Sequence, residues 1–319
     1  MPVRPRREDV ELRQGFRHDA LFYEGMDGFL RAVVPFVREA VQANEPILVA
    51  VAPEKIERMK AALIGDATGV RFANMDELGH NPARIIPAWR DFVAENRGGS
   101  AFFRGVGEPI WPGRTEAELA ECHLHEALVN VAFDGGPAWW LVCPYDTSAL
   151  HPDVVLEARR THPRVIADEV EQPAAGPSAG SVAGRFDASL PEPPPSADRV
   201  PFDLHSLSAV RHFLAERARR AALDPARTED LVLAVNEAAS NSVRHGGGSG
   251  TLFVWEDGKV LLSELRDGGH IDDPLVGRET PTLEQLRGRG VWLANQLCDL
   301  VQVRSTSDGV AVRLHMVIP

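Results

Sequence analysis

Along the first half of the chain, apolar residues at helical spacing alternate with short, nearly continuous apolar runs. The pattern predicts helices over residues 23–43, 54–63, 85–96 and 116–133, and strands over 46–53, 70–73, 100–106 and 139–144. Strands that are apolar on both faces and separated by helices belong to a mostly parallel sheet, so this half reads as an α/β domain. Ligands of such sheets bind off the carboxyl ends of the strands. The polar residues expected there are Arg104, Glu108, Cys143, Tyr145 and Asp146, with His18 ahead of the first helix.

The pattern changes after residue 170. Residues 171–198 are rich in Pro, Ala, Gly and Ser, and only Val182, Phe186 and Leu190 could contribute to a core. Such a composition reads as a linker, a flexible half followed by a spacer stiffened by the proline run 193–195. The expected division is a first domain over 1–170, a linker over 171–198 and a second domain over 199–319. In the last of these, apolar residues at 204, 207, 210, 213, 214, 218 and 221 mark one face of a helix over 204–223. A second helix, expected to be capped by Thr228, runs to about residue 244 and ends at Gly246-Gly247-Gly248. Strands at 251–255 and 260–265 flank Asp257-Gly258, a hairpin turn. A third helix near 290–298 precedes strands at 300–305 and 310–317. This order predicts a mostly antiparallel sheet with helices on one face, an α+β sandwich.

Composition narrows the partners. The 319 residues carry a net charge of −12, with 44% hydrophobic and 25% charged positions. So acidic a chain has no electrostatic footprint for nucleic acid or anionic lipid. Cys122, Cys143 and Cys298 are too few and too scattered for a disulfide framework or a zinc cage. The apolar runs are far shorter than a membrane helix, and the charged N-terminal stretch is no signal peptide, so a cytoplasmic location is expected.

Three polar clusters in the second domain look misplaced for a core. Glu237 and Asn241 are four apart on the second helix and share a face. A carboxylate beside a carboxamide suits a base next to a hard oxygen ligand for Mg²⁺, although a solvated helix face has the same composition. Asp267-Gly268-Gly269 follows a strand and can set a carboxylate against a planar base. Gly288-Arg289-Gly290-Val291 opens the third helix, where free N–H groups can cradle phosphate.

In this order and spacing the clusters resemble the N box and the two glycine boxes of GHKL-type ATPases, the Bergerat fold, over residues 202–319. The resemblance implies ATP and Mg²⁺ as cofactors, Glu237 as general base, Asn241 as the Mg²⁺ ligand and Asp267 as the reader of the adenine amino group. Gly269, Gly288, Gly290 and the N–H groups around Val291 would hold the nucleotide, with Arg289 beside its phosphates. Where the family often has a further glycine, this chain has Ile271. The compact form is most similar to anti-sigma-factor serine kinases, which implies a sigma factor and a STAS-type antagonist as partners. The alternatives are a histidine-kinase-like sensor and an ATP-binding module without phosphotransfer. His205 and His212 fall on a helix whose apolar face is needed for packing, and they read as a packed helix edge.

No phosphate loop of the Gly-X4-Gly-Lys-Ser/Thr kind occurs in the first domain. In Cys122-His123-Leu124-His125-Glu126 the neighbours Cys122 and His123 point about 100° apart on a helix, so they cannot share one ion. The segments from His18 to Tyr23, Phe103 to Glu108 and Cys143 to Asp146, with His162-Pro163, resemble the MEDS sensory domain over about residues 16–165. That resemblance implies a RecA-like α/β fold and a small-molecule ligand, with His18, Arg104, Glu108, Cys143, Tyr145 and Asp146 as its candidate contacts. A homodimer stays open.

Overall fold

The computed structural model describes residues 15–97, 102–167, 170–173, 184–281 and 289–319. They form two compact units, one built on strands β1–β7 and the other on β8–β12.

The first unit runs β1 (Phe16–Tyr23), α1 (Gly25–Gln42), β2 (Ile47–Val51), α2 (Pro53–Ala62), β3 (Val70–Asn74), α3 (Met75–Leu78), α4 (Ile85–Asn96) and β4 (Phe103–Gly107). It continues with α5 (Glu116–Ala132), β5 (Trp139–Asp146), α6 (Pro152–Thr161), β6 (Arg164–Ala167) and β7 (Val170–Pro173). The sheet order is β3-β2-β4-β5-β1-β6-β7, parallel except for β7, which pairs antiparallel with β6. The expected strands and helices are present as a mostly parallel α/β layer. The apolar pattern missed β1, which lies between β5 and β6 in the sheet. Its sequence, FRHDALFY, carries Arg17, His18 and Asp19, all buried, and buried polar residues mask a strand's apolar run. His18 is therefore within a central strand rather than in a lead-in to the first helix.

The second unit runs β8 (Asp198–Asp203), α7 (Leu207–Arg220), α8 (Pro225–His245), β9 (Ser249–Asp257), β10 (Val260–Asp267), α9 (Arg289–Leu297), β11 (Leu300–Thr306) and β12 (Gly309–Val317). Its antiparallel sheet has the order β11-β12-β10-β9-β8. Val210, Leu214 and Ala218 of α7 share one core with Leu231, Ala234 and Val235 of α8, Val291 and Ala294 of α9, and Leu252, Leu261, Leu265, Val312 and Leu314 of the sheet. That core fixes α8 and α9 over the central strands. The fold is thus α/β followed by antiparallel α+β, as the pattern predicts.

Four local readings differ. The cap of α8 is Asp224, whose Oδ1 accepts from the N–H of Ala226 at 2.9 Å, while Thr228 lies one turn inside the helix. Asp before a Pro at the first helical position is the stronger start signal. Strand β8 was not foreseen because Pro201 interrupts it; proline is tolerated there because β8 is an edge strand. His205 lies in the turn before α7 and His212 on its outer side, and both are exposed rather than packed at an edge. Finally, the stretch read as linker is partly docked on the second unit. Phe186 and Leu190 are buried, Arg313 donates to the carbonyl of Pro191, and Arg266 donates to Glu192 at 2.8 Å. Two large apolar residues in a polar stretch suffice to hold it down.

Candidate functional site

Glu237 and Asn241 stand one turn apart on α8, both half-buried. The start of α9 packs directly on them. A Cβ on Gly290 would lie 2.7 Å from Asn241 Nδ2 and 3.3 Å from Glu237 Cβ, so a larger residue would displace these side chains. The first N–H groups of α9 have no acceptor within the helix and carry the positive end of its dipole. Arg289, the first residue of α9, is at the surface. Gly288 lies outside the described residues.

Asp267 ends β10. Its Oδ1 accepts the N–H of Gly269 at 2.7 Å, and the N–H of Gly268 reaches the carbonyl of Gly246 at 3.2 Å. A Cβ on Gly246 would overlap the Asp267 carboxyl at 2.3 Å, so the carboxylate is pressed against the last turn of α8. Between these parts lies a pocket of ≈ 750 Å³. Asn241, Asp267, Gly269 and Val291 line it, together with Ile271 and the apolar residues Ala238, Val276, Val310 and Val312. Ile271, where the family often has glycine, is tied by its N–H to Ser305 Oγ at 2.9 Å and contributes wall rather than a turn. The pocket offers the Asp267 carboxylate, apolar walls for a planar ring and the Asn241 amide, while Glu237, one turn back on α8, lies outside its lining. Asn241 carries the hard oxygen that Mg²⁺ prefers, and the missing Cβ of Gly290 lets the start of α9 pack against its amide nitrogen. The apolar walls went unnoticed in the sequence because they come from four separate elements.

The candidate residues of the first unit do not converge on one place. Arg104 is the second residue of β4, at its amino end, and is buried between Glu45 at 2.7 Å and Glu39 at 2.8 Å. It satisfies two carboxylates, which corrects its reading as a ligand contact at a carboxyl strand end. Glu108, just past β4, accepts from Tyr23 at 2.5 Å and from Lys55 at 2.6 Å, and Lys55 also donates to Tyr23. Burial pushes the Glu108 carboxyl up against the pull of Lys55, and burial followed by the Glu108 charge pushes the Tyr23 phenol up. Asp146 accepts from the N–H of Gly25 and from Ser148, which closes the turn after β5.

His18, Cys143 and Tyr145 form a separate group. In the parallel pairing of β1 with β5 their side chains share the face covered by α5 and α6, where Glu126, Asn130 and His162 join them. His18 Nε2 is 3.2 Å from Cys143 Sγ and 3.1 Å from Glu126 Oε2, and His162 Nε2 is 3.3 Å from the same oxygen. Burial pushes His18 down to about 4, with His162 adding to the shift. The sequence pattern does not pair Glu126 and His162 with His18, although Glu126 lies four residues before Asn130 on one face of α5.

Among the described residues no helix is long and apolar enough to cross a membrane. Residues 17–163 match the family described as MEDS, the MEthanogen/methylotroph, DcmR Sensory domain. Residues 200–316 match the histidine kinase-like ATPase domain. No curated protein matches the chain. A sensory domain joined to such an ATPase domain makes a regulatory module that is kinase-like or ATP-binding. By these two matches the chain is a MEDS domain followed by a histidine kinase-like ATPase domain of the GHKL type.

Proposed function

We propose that the protein is a cytoplasmic anti-sigma factor with serine/threonine kinase activity toward a STAS-type antagonist, controlled by its MEDS domain. The observation that carries phosphotransfer is the close approach of Gly290 to both Glu237 and Asn241, which brings a carboxylate, a carboxamide and the start of α9 together beside the pocket. Asp267 and the apolar walls would hold adenine, and the N–H groups at the start of α9 would bind phosphate oxygens. Glu237 takes the proton of the attacking hydroxyl as that oxygen bonds to the γ-phosphorus and the bond to the bridging oxygen breaks, releasing ADP. Asn241 would hold Mg²⁺, which neutralises charge on the phosphates.

The serine/threonine reading is favoured by α7, which buries Val210, Leu214 and Ala218 against its own sheet and shows no second apolar stripe for a helical bundle. One observation supports the histidine-kinase-like alternative, the exposure of His205 and His212. Incubation with ATP, Mg²⁺ and candidate STAS proteins, with phosphate mapped by mass spectrometry, tests both. Acid-stable phosphate on a Ser or Thr of the partner is expected. Acid-labile phosphate on this chain, lost in His205→Ala, would replace the reading with the alternative. Nucleotide binding with no phosphate on either protein would leave a pure binding module.

A further inference from the structure

Four side chains in the first unit bring one donor atom each within 4.8 Å of one another: His18 of β1, Glu126 of α5, Cys143 of β5 and His162, which follows α6. All four are buried, none more than 3% exposed. Phosphotransfer in the second unit uses none of them. Their polar atoms are badly served by the protein: both oxygens of Glu126 and Nε2 of His162 have no hydrogen-bond partner of acceptable geometry. Buried polar atoms left in that state are costly, and each calls for an explanation.

The surroundings orient the two imidazoles in the same way. His162 Nδ1 donates to the carbonyl of Ala158 at 2.8 Å. His18 Nδ1 lies 3.2 Å from Asn130 Oδ1, and the amide nitrogen of Asn130 donates to the carbonyls of Glu126 and Thr161, which leaves its oxygen as the acceptor for His18. With Nδ1–H engaged outward on both rings, both Nε2 lone pairs face inward, toward Glu126 and, for His18, Cys143. The Cys143 thiol is then the one proton donor inside the cluster, and a single S–H cannot serve two imidazole lone pairs and both oxygens of a carboxylate. An outer ring of hydrogen bonds that fixes the tautomer is the arrangement that surrounds metal-bound histidines.

The distances agree. Tetrahedral zinc, with bonds of about 2.0 Å to nitrogen or oxygen and about 2.3 Å to sulfur, has donors separated by about 3.3 Å, or about 3.5 Å from nitrogen to sulfur. Three of the six donor pairs are 3.1, 3.3 and 3.2 Å apart, close to tetrahedral edges, and all four donor atoms lie within 4.8 Å of one another. We propose that His18, Glu126, Cys143 and His162 form a closed, four-coordinate site for a divalent transition-metal ion, zinc by its donor set, inside the MEDS domain. A thiolate and a carboxylate offset the two positive charges, the thiol proton leaving to solvent on binding. Imidazole and thiolate donors select against Mg²⁺ and Ca²⁺. With four protein ligands and no exposed face, the ion would hold β1, β5, α5 and the start of β6 together rather than act on a substrate.

The full-length protein, stripped with a chelator, would be reloaded with Zn²⁺ or Co²⁺ and freed of excess by gel filtration. One ion per chain is expected by elemental mass spectrometry, and the Co²⁺ form should show the strong visible bands of tetrahedral coordination plus a thiolate-to-cobalt band in the near ultraviolet. Cys143→Ser should abolish that band and weaken Zn²⁺ binding at least about tenfold. A far-ultraviolet circular dichroism spectrum matching that of the metal-free native chain would check that the first unit of this variant is folded. Should it misfold, Cys122→Ala/Cys298→Ala, which leaves Cys143 as the only thiol, must keep the band. Failure of the wild-type chain to retain any ion, or loss of the band in the double variant, would overturn the site and leave a buried histidine–carboxylate cluster. Equal Zn²⁺ affinity in a folded Cys143→Ser would overturn it as well.

Discussion

Glu237 stands one turn from Asn241 beside the start of α9 and does not line the pocket assigned to adenine. Glu237→Gln keeps shape and hydrogen bonding but removes basicity, so ATP affinity should stay near native while phosphotransfer falls roughly 10²-fold or more. Unchanged transfer by this variant would take Glu237 out of the chemistry. Asp267 answers a different question. An acceptor-only carboxylate suits the amino group of adenine, and Asp267→Asn adds donors that oppose it. Calorimetry should therefore show weaker ATP binding by the variant and clear preference for ATP over GTP by the native chain; equal binding of both nucleotides would refute adenine reading. These residues were legible because each belongs to a motif only a few residues long. Arg104 was misread because nothing local in the sequence tells that Glu39 and Glu45, from about sixty residues earlier, neutralise it.

At the scale of elements, the entry of α9 is the sensitive joint. A Cβ at position 290 would come within 2.7 Å of Asn241 Nδ2, closer than carbon and nitrogen tolerate, so Gly290→Ala must push Asn241 aside or lift α9. The expected result is weaker Mg²⁺-ATP binding with a nearly unchanged melting temperature, since the start of a short helix gives way more easily than the core behind it. A variant that binds nucleotide as well as the native protein would show that this approach is not needed. Periodicity revealed most helices and most strands of both sheets because their apolar faces are regular. It missed β1 for a reason tied to the proposed metal site: a strand that carries His18 among buried charged neighbours does not look apolar. Strand β6 has four residues of which only Val165 is buried, too few for an alternating pattern, whereas α6 buries Val154, Ala158 and Thr161 at helical spacing and was readable from the sequence.

At the scale of the molecule, the stretch before β8 belongs energetically to the ATPase unit. Phe186 is 4% exposed and Leu190 7%, and truncating a buried Phe to Ala costs about 3 kcal/mol when the surroundings cannot collapse. Phe186→Ala should lower the denaturant midpoint of the second unit accordingly, and a change below about 1 kcal/mol would show the stretch to be only loosely attached. Composition could not reveal this docking, since two apolar side chains in a Pro- and Ala-rich segment look like noise until the sheet surface beneath them is known. The same attachment limits signalling. Glu192 grips Arg266, the residue next to Asp267, and Glu192 is 78% exposed at its side chain. An ion pair so open to water contributes no more than about 1 kcal/mol. Regulation carried by that pair alone therefore has a ceiling: a coupling free energy of this size alters ATP affinity about fivefold at most. A stimulus that changes nucleotide affinity by a hundredfold must do its work through some other contact.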